Sequence, residues 1–268
     1  MPVITISQLN APGPQMYYHL TDAQLRARQT PDQAVFIAEG PKVVHTALDC
    51  GYRPLSLLMR QKFVEAPAGQ EIIARCGDIP VYTAADEVLA ALTGFRLQRA
   101  WVLCAMKRPA PLAPAAVIGG ARRIAVLEDI TEPSNVGAIF RSAAALGMDG
   151  VLTSPGCADP FHRRSVRVSM GSVFTLPFSA SPLETALPLL RALGFLVLGM
   201  ALGRDSVPLS DPALKGSDRI AMVFGTEDTG LSDSALSLCD RRVVIPMRPG
   251  IDSLNVAASA AVAFWELR

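Results

Sequence analysis

Three short segments combine polar side chains with glycine or proline, and each follows an apolar run of strand length. The first spans residues 128–141 and reads EDITEPSNVGAIFR. If a helix begins near Asn135, Gly137 and Arg141 lie four residues apart on nearly the same face, so a group resting on the bare backbone at Gly137 would meet the guanidinium. The simpler alternative is that Asn135 caps the helix and Arg141 makes a surface ion pair. The segment alone leaves both interpretations open.

The second segment, residues 225–231, reads GTEDTGL. Gly225 ends a predicted strand, where the absence of a side chain lets a ligand reach the backbone. Glu227 then offers an acidic group to a cationic cofactor or holds a catalytic loop in place; alternatively, it only complements the dipole of the next helix. The glycine spacing is that of a phosphate-binding loop, but Leu231 stands where that motif needs lysine. No GxGxxG fingerprint follows a predicted strand, so any nucleotide-like cofactor is bound in another way.

The third segment, residues 245–259, reads IPMRPGIDSLNVAAS. Its prolines and glycine stiffen and turn the chain, and Ser253 or Asp252 is predicted to cap the last helix. Capping does not explain Asn255, a poor helix former that the pattern puts inside the first turn. The small residues at 257–261 suit close packing against another backbone, of this chain or of a second copy.

The elements that must position these segments alternate between strand and helix patterns. Strands are predicted at 123–127, 150–154, 195–200, 220–224 and 242–246, and helices at 135–146, 163–172, 182–193, 232–238 and 254–267. Such alternation predicts an α/β fold with a parallel sheet, whose ligands bind beyond the carboxyl ends of the strands. All three polar segments follow predicted strands, so we expect them to meet at that edge.

Composition excludes several classes of protein. Half of the 268 residues are apolar, yet no apolar run approaches the roughly 20 residues that span a bilayer, and the amino terminus lacks a secretory signal. The five cysteines are far apart without a CxxC and the three histidines are scattered, so we predict no metal site, no disulfide framework and a reduced, cytoplasmic setting. The net charge of +1 limits any RNA-binding surface to a local patch.

A change of composition divides the chain. Residues 107–120, KRPAPLAPAAVIGG, interrupt any regular pattern and are interpreted as a linker. We therefore predict a small α/β domain at 1–108, a linker at 109–121 and a larger domain at 122–268. In the first domain the pattern predicts a strand, a turn at residues 39–41 and a helix that buries one apolar face.

Together the three segments resemble the SpoU/TrmH family of RNA ribose 2′-O-methyltransferases, in the SPOUT superfamily. The matching motifs are PxNxGxxxR at 133–141, GxExxGL at 225–231, and IPM at 245–247 followed by SLNV at 253–256. The resemblance extends from about residue 122 to the end. Residues 36–48, FIAEGPKVVHTAL, are similar to the L30e-like RNA-binding domain that many members carry before the catalytic domain.

The resemblance implies a catalytic domain with a deep trefoil knot, one of the few exceptions to unknotted chains. It implies S-adenosylmethionine as cofactor, a structured RNA substrate (tRNA or rRNA) and a homodimer whose active site is completed near the subunit interface. The cofactor would contact backbone groups at Gly225, Ile245 and Leu254. The implied catalytic set consists of Asn135, Arg141, Glu227, Ser253 and Asn255.

In such a reaction the 2′-oxygen of a ribose attacks a sulfonium methyl group, and the difficulty lies in activating a neutral hydroxyl. A guanidinium keeps its proton at neutral pH. We therefore expect Arg141 to hold the adjacent phosphate and stabilise the developing alkoxide, although a role as the base stays open. Arg163, Arg164 and Arg167 form a short basic patch that either contacts RNA phosphates or is simply solvated.

Two other functions remain as alternatives. A non-catalytic RNA-binding or ribosome-assembly protein could share the fold, but it would have no need for the whole catalytic set. An enzyme of the superfamily that methylates a base nitrogen is the second alternative, although such families have other motifs. Neither the RNA nor the methylated nucleotide follows from the sequence.

Overall fold

The computed structural model describes residues 3–6, 13–17, 25, 34–93, 101–248, 250 and 253–268. The chain forms two compact units. The first comprises Met1–Ala110 and Phe161–Phe174, and the second comprises Pro111–Pro160 and Thr175–Arg268. These units differ from the predicted domains in one internal segment, Phe161–Phe174. Within the predicted linker, Pro114–Ile118 forms a helix that buries Val117 and Ile118 in the second unit.

The elements are numbered in chain order. The strands are β1 (Val3–Thr5), β2 (Val35–Glu39), β3 (Pro54–Arg60), β4 (Val81–Ala84), β5 (Val102–Lys107), β6 (Arg123–Leu127), β7 (Gly150–Thr153), β8 (Phe178–Ala180), β9 (Leu196–Met200), β10 (Val207–Pro208), β11 (Ile220–Phe224) and β12 (Arg241–Val244). The α-helices are α1 (Pro41–Asp49), α2 (Gln61–Val64), α3 (Pro67–Cys76), α4 (Asp86–Thr93), α5 (Pro114–Ile118), α6 (Pro133–Ala145), α7 (Arg163–Val168), α8 (Leu183–Ala192), α9 (Pro212–Lys215), α10 (Asp233–Leu238) and α11 (Val256–Glu266).

The first unit contains a mixed five-stranded sheet. Its order is β1-β4-β3-β5-β2, with β4 parallel to β1 and β3, and β5 antiparallel to β3 and β2. The predicted turn before α1 is present: Gly40 has a φ of 93°, and Pro41 then begins the helix, where a proline loses no helical hydrogen bond. The predicted strand, turn and helix therefore follow one another in the first unit.

Aromatic packing explains why Phe161–Phe174 belongs to the first unit. The Phe161 ring stacks on Phe36 of β2 at a centroid distance of 4.7 Å, and Phe174 lies 5.4 Å from the same ring. Tyr52 closes the cluster at 5.0 Å from Phe174. Burying such rings contributes strongly to a core. Phe161 and Phe174 therefore join the core around Phe36, although they are far from it in sequence.

The second unit contains a seven-stranded sheet whose strands are all parallel. Its order is β10-β12-β9-β11-β6-β7-β8. The five predicted strands of this region are β6, β7, β9, β11 and β12, so the prediction of an α/β fold with a parallel sheet is confirmed. The two short edge strands, β8 and β10, were not predicted, because runs of three and two residues carry too little periodicity.

Helices cover both faces of this sheet. Leu187 and Leu190 of α8 and Ala235 of α10 pack against Val223 of β11 and its neighbours. The next residue, Phe224, points to the opposite face and meets Phe264 of α11 at a centroid distance of 5.6 Å. Because the strands are buried on both faces, their carboxyl ends are left as the place where loops can form a site.

Candidate active site

The loops that follow β9, β11 and β12 enclose a cavity in the second unit. Its volume is ≈ 650 Å³, within the range of about 300–1,000 Å³ found for small-molecule sites. Among the predicted site residues, the lining includes Gly225, Glu227, Ile245, Ser253 and Leu254. The cavity therefore lies beyond the carboxyl ends of the parallel strands, where the sequence predicted a ligand.

Gly225 is needed for the closure of its own loop. A Cβ at this position would lie 2.2 Å from the carbonyl oxygen of Gly230, a distance that no side chain tolerates. The backbone doubles back there, with reciprocal hydrogen bonds of 3.1 Å between Thr226 and Gly230. Sequence reasoning explained Gly225 only by the approach of a ligand and missed this contact, because nothing in the sequence indicates that the loop folds onto itself.

Three predicted residues form an amide–carboxylate cluster, consisting of Asn135, Glu227 and Asn255. Both amide nitrogens donate to the same oxygen, Glu227 Oε1, at 2.9 Å from Asn135 Nδ2 and 2.6 Å from Asn255 Nδ2. Asn255 Nδ2 also lies 3.1 Å from Asn135 Oδ1. Each residue comes from a different motif, so the structure brings the three polar segments together as expected.

The last helix begins later than the sequence predicted, and this changes the role of Asn255. Helix α11 begins at Val256, and the Asn255 side chain caps it by accepting from the amides of Ala257 (3.0 Å) and Ala258 (3.3 Å). The prediction that Ser253 is the cap is therefore wrong, and Asp252 lies outside the described residues. Since its oxygen is committed to the helix, the amide nitrogen of Asn255 is oriented toward the cluster.

The alternative in which Asn135 caps the helix of the first motif is also wrong. Helix α6 begins at Pro133, and Glu132 caps it by accepting from the Ser134 amide at 3.2 Å. Asn135 therefore lies within the first turn. Because it is not needed as a cap, its side chain is available to Glu227.

A carboxylate that sequence reasoning missed holds the far end of the 225–231 loop. Glu128, directly after β6, accepts from the Ser232 amide at 2.9 Å and from the Ser232 hydroxyl at 2.6 Å. The same hydroxyl accepts from the Ala235 amide at 3.1 Å and so caps α10. The only signal in the sequence is an acidic residue at a strand end, which does not identify a partner 104 residues away.

The turn that leads into the first motif is held by Ser154 and Cys157. Asp129 has a φ of 51°, an uncommon conformation for a residue with a side chain. Its amide donates to Ser154 Oγ at 2.9 Å, and that hydroxyl donates to Asp129 Oδ1 at 2.6 Å. Burial raises the pKa of the Cys157 thiol, which remains protonated and contacts the Leu127 carbonyl at 3.3 Å. These contacts fix the chain just before α6.

Arg141 is not part of the amide–carboxylate cluster. It is exposed on α6 and, within the described part of the chain, its side chain makes no hydrogen bond or ion pair. It follows Asn135 by six residues, or about 9 Å along the helix axis. The surface ion pair of the simpler interpretation is therefore not found among the described residues.

The three arginines of the predicted basic patch lie on α7, in the first unit. Arg163 Nε is 2.9 Å from Glu39 Oε2, and Arg167 Nη1 is 3.8 Å from Glu39 Oε1. The Glu39 side chain is only 9% exposed, whereas Arg164 is exposed. The patch is thus partly neutralised by a carboxylate that the sequence pattern did not connect with it.

Two findings concern other kinds of site. Over the described ranges, no three His, Cys, Asp or Glu side chains are grouped so that they could hold a metal ion. In the same ranges, no helix has the length and apolar character needed to cross a membrane.

A parallel α/β unit with a cavity and a polar cluster at its strand ends defines an enzyme-like, cofactor-binding class of protein. The chain belongs to the SpoU rRNA methylase family, whose sequence profile matches residues 122–265. This membership confirms the resemblance drawn from the three motifs. The chain is accordingly an S-adenosylmethionine-dependent RNA ribose 2′-O-methyltransferase.

Relatives and solved structures agree with this assignment. An uncharacterised tRNA/rRNA methyltransferase of Mycobacterium tuberculosis is 40% identical over 236 residues, which cover 87% of this chain and 81% of the relative. RlmP of Bacillus subtilis, a 23S rRNA (guanosine(2553)-2′-O)-methyltransferase, is 27% identical over 87% of this chain and 88% of its own length.

The fold is that of solved methyltransferases. An AdoMet-bound rRNA methyltransferase from Sinorhizobium meliloti matches 99% of this chain and 97% of its own, with a TM-score of 0.80 and 25% identity. AviRb from Streptomyces viridochromogenes, in complex with AdoMet, matches 92% of this chain and 96% of its own, with a TM-score of 0.75 and 25% identity.

Proposed function

We propose that the second unit methylates an RNA ribose at the cavity, and that Asn135, Arg141, Glu227, Ser253 and Asn255 form the catalytic set. The observation that carries this assignment is the amide–carboxylate cluster, because it joins one residue from each motif through Glu227 Oε1. Glu227 and Ser253 also line the cavity. The set is therefore positioned by contacts between segments that are far apart in sequence.

The cavity fits S-adenosylmethionine in size and in chemistry. When bound, the cofactor supplies an electrophilic methyl group on a sulfonium. Carboxylates on the cavity wall suit its cationic groups, and the loop backbones at Gly225, Ile245 and Leu254 offer amides and carbonyls to the adenine. These three residues are the proposed cofactor contacts.

Each catalytic residue then has a specific task. Glu227 fixes the two asparagine amides, which orient the ribose, while Ser253 supports the third loop. Arg141 holds the phosphate next to the target ribose and stabilises the alkoxide that develops as the hydroxyl passes its proton through that phosphate to water, while the oxygen takes the methyl group from the sulfonium. Its exposed position on α6 suits a substrate that approaches from outside the chain.

A homodimer is part of the proposal. Arg141 lies outside the cluster of its own chain, so a second copy would complete the site. The exposed faces of Val262 and Trp265 on α11, which packs against α6, support such a contact. Family membership supports the remaining parts of the proposal. These are a trefoil knot, an L30e-like first domain, a cytoplasmic setting, and RNA binding by Arg163, Arg164 and Arg167.

Replacing the proposed catalytic arginine tests the assignment. We expect Arg141→Ala to retain S-adenosylmethionine binding and to lower methyl transfer to RNA about a hundredfold or more, as is usual when a transition-state charge loses its partner. The measurements are cofactor Kd by calorimetry and methyl incorporation into total bacterial RNA from labelled cofactor.

A matched control is available in the same unit. Arg122 is also exposed but follows the linker at the amino end of β6, where it pairs with Asp218 at 3.1 Å. Arg122→Ala should leave both quantities unchanged. Full methyl transfer by the Arg141→Ala variant would overturn the assignment.

A further inference from the structure

The cavity wall carries an uneven set of charges. Three of its described side chains end in carboxylates, at Glu227, Asp228 and Asp233, and one carries a positive charge, Arg242. S-adenosylmethionine has two cationic groups, the sulfonium and the α-ammonium, and one anionic group, the α-carboxylate. The wall thus offers one cationic side chain, Arg242, to the single anionic group of the cofactor.

Arg242 is placed so that its guanidinium is available to a ligand. It lies on β12, opposite Gly199 of β9, and it is exposed. A Cβ at Gly203 would lie 3.3 Å from Arg242 Nη1 and 3.7 Å from Arg242 Cδ, so the arginine extends across a backbone that has no side chain. Within the described ranges it makes no hydrogen bond or ion pair.

The chemistry of the methionyl group requires such a partner. A carboxylate that leaves water loses its hydration, and the loss is offset only by strong hydrogen bonds or an opposite charge. A guanidinium provides both, because its two parallel N–H groups match the two oxygens of a carboxylate. The carboxylates on the wall suit the cationic groups of the cofactor but would repel its α-carboxylate.

We propose that Arg242 binds the α-carboxylate of the cofactor's methionyl group. The proposal rests on the cavity being the cofactor site, as stated above. It adds a cofactor-binding residue outside the three motifs, on the strand rather than on the loop that follows it.

The neighbouring residue supplies a matched control. Arg241 is also an exposed arginine of β12, but consecutive strand residues point to opposite faces of the sheet. Arg241→Gln therefore removes the same charge from the same strand without changing the side chain on the cavity wall.

The experiment compares two ligands that differ by one group. Calorimetry without RNA gives the Kd of S-adenosylmethionine and of decarboxylated S-adenosylmethionine for the wild type, Arg241→Gln, Arg242→Gln and Arg242→Lys. We expect Arg242→Gln to weaken binding of S-adenosylmethionine about ten- to a hundredfold, the usual loss for a charge-assisted hydrogen bond. Binding of the decarboxylated ligand should not change. Arg242→Lys should recover part of the loss, and Arg241→Gln should match the wild type.

Other results would overturn the proposal. An unchanged Kd in Arg242→Gln would exclude the contact, and an equal loss for both ligands would move it to another part of the cofactor. Thermal unfolding of each variant checks that it is folded. We expect no misfolding, because the replaced arginines are exposed. If the wild type bound neither ligand, the cofactor site itself would be refuted, and this assignment with it.

Discussion

One carboxylate oxygen connects the three motifs at the scale of the residue. Glu227 Oε1 accepts from the amides of Asn135 and Asn255, and the Val256 backbone amide lies 3.4 Å away. Hydrogen bonds to a charged acceptor are stronger than neutral ones. Removing the charge should therefore loosen both asparagines together.

We expect Glu227→Gln to lower kcat for methyl transfer about ten- to a hundredfold, because two charge-assisted hydrogen bonds become neutral and one must rearrange. The Tm should change little, since the cluster lies at the surface. Steady-state kinetics with saturating cofactor measure the effect.

Asp228→Asn is the control for this prediction. It removes a charge from the same loop and the same cavity wall but not from the cluster. Equal losses of kcat in the two variants would show that the general charge of the cavity matters, rather than the hydrogen bonds of Glu227.

Three of the five residues in the predicted catalytic set meet, but the sequence did not predict how each is held. The motifs identified Asn135, Glu227 and Asn255, and all three are in contact. The cap of the last helix was predicted wrongly, and that of the first motif was left open, because several Asp, Ser and Asn residues near a helix start can all accept from a backbone amide. The choice depends on where the helical backbone conformation begins, which tertiary packing decides.

At the scale of the element, the 225–231 loop is held at three points. Its start is closed by the contact between Gly225 and Gly230, its middle is held by the cluster, and its end is held by Glu128 through Ser232. Such a loop presents its backbone to a ligand in a fixed arrangement. Preorganisation of this kind reduces the entropy lost on binding.

Gly225→Ala tests the closure of the loop. The added Cβ would lie 2.2 Å from a backbone oxygen, so the loop must open, and we expect the free energy of unfolding to fall by about 1–3 kcal/mol with weaker cofactor binding. Urea unfolding and calorimetry measure the two effects.

Gly216→Ala is the matched control in the same unit. The nearest atom to its added Cβ would be 3.8 Å away, and the backbone there is helical. This variant should be neutral or slightly stabilising. A Gly225→Ala protein with unchanged stability and affinity would contradict the proposed closure.

The fold of the second unit could largely be read from its strands. β6 and β11 have the predicted bounds, because fully buried parallel strands form continuous apolar runs. The pairing order could not be predicted, and neither could β8 and β10. Both depend on contacts between residues that are distant in sequence, for which a single sequence carries no signal.

At the scale of the whole molecule, the net charge is only +1. The role of each arginine therefore depends on the groups that surround it locally. Arg163 contacts the nearly buried Glu39 at 2.9 Å, whereas Arg164 is exposed on the same helix. We expect Arg163 to stabilise the first unit in addition to its proposed RNA contact, whereas Arg164 is the residue with which we test the RNA contact. Sequence could not separate them, because they are adjacent and of the same type.

We expect Arg163→Ala to lower the free energy of unfolding by about 1–3 kcal/mol, because the Glu39 carboxylate loses its nearer partner. Arg164→Ala should reduce the salt dependence of RNA binding by about one ion. Urea unfolding and filter binding at several salt concentrations distinguish the two roles.

The double variant Glu39→Gln with Arg163→Ala should recover part of the lost stability, since the nearly buried position 39 then no longer carries a charge that lacks its nearer partner, and Arg167, which also faces Glu39, is half exposed to water. If Arg163→Ala proved as stable as the wild type, the ion pair would not contribute to the first unit.

The assignment of Phe161–Phe174 to the first unit limits how this protein can be divided. The chain passes between the units at residues 110/111, 160/161 and 174/175, so a cut near the proline-rich segment does not release two independent modules. A fragment ending at residue 110 would lack the rings that cover Phe36 and the guanidinium that faces Glu39. Exchange of the first unit between relatives, in evolution or in engineering, would have to carry this internal segment with it.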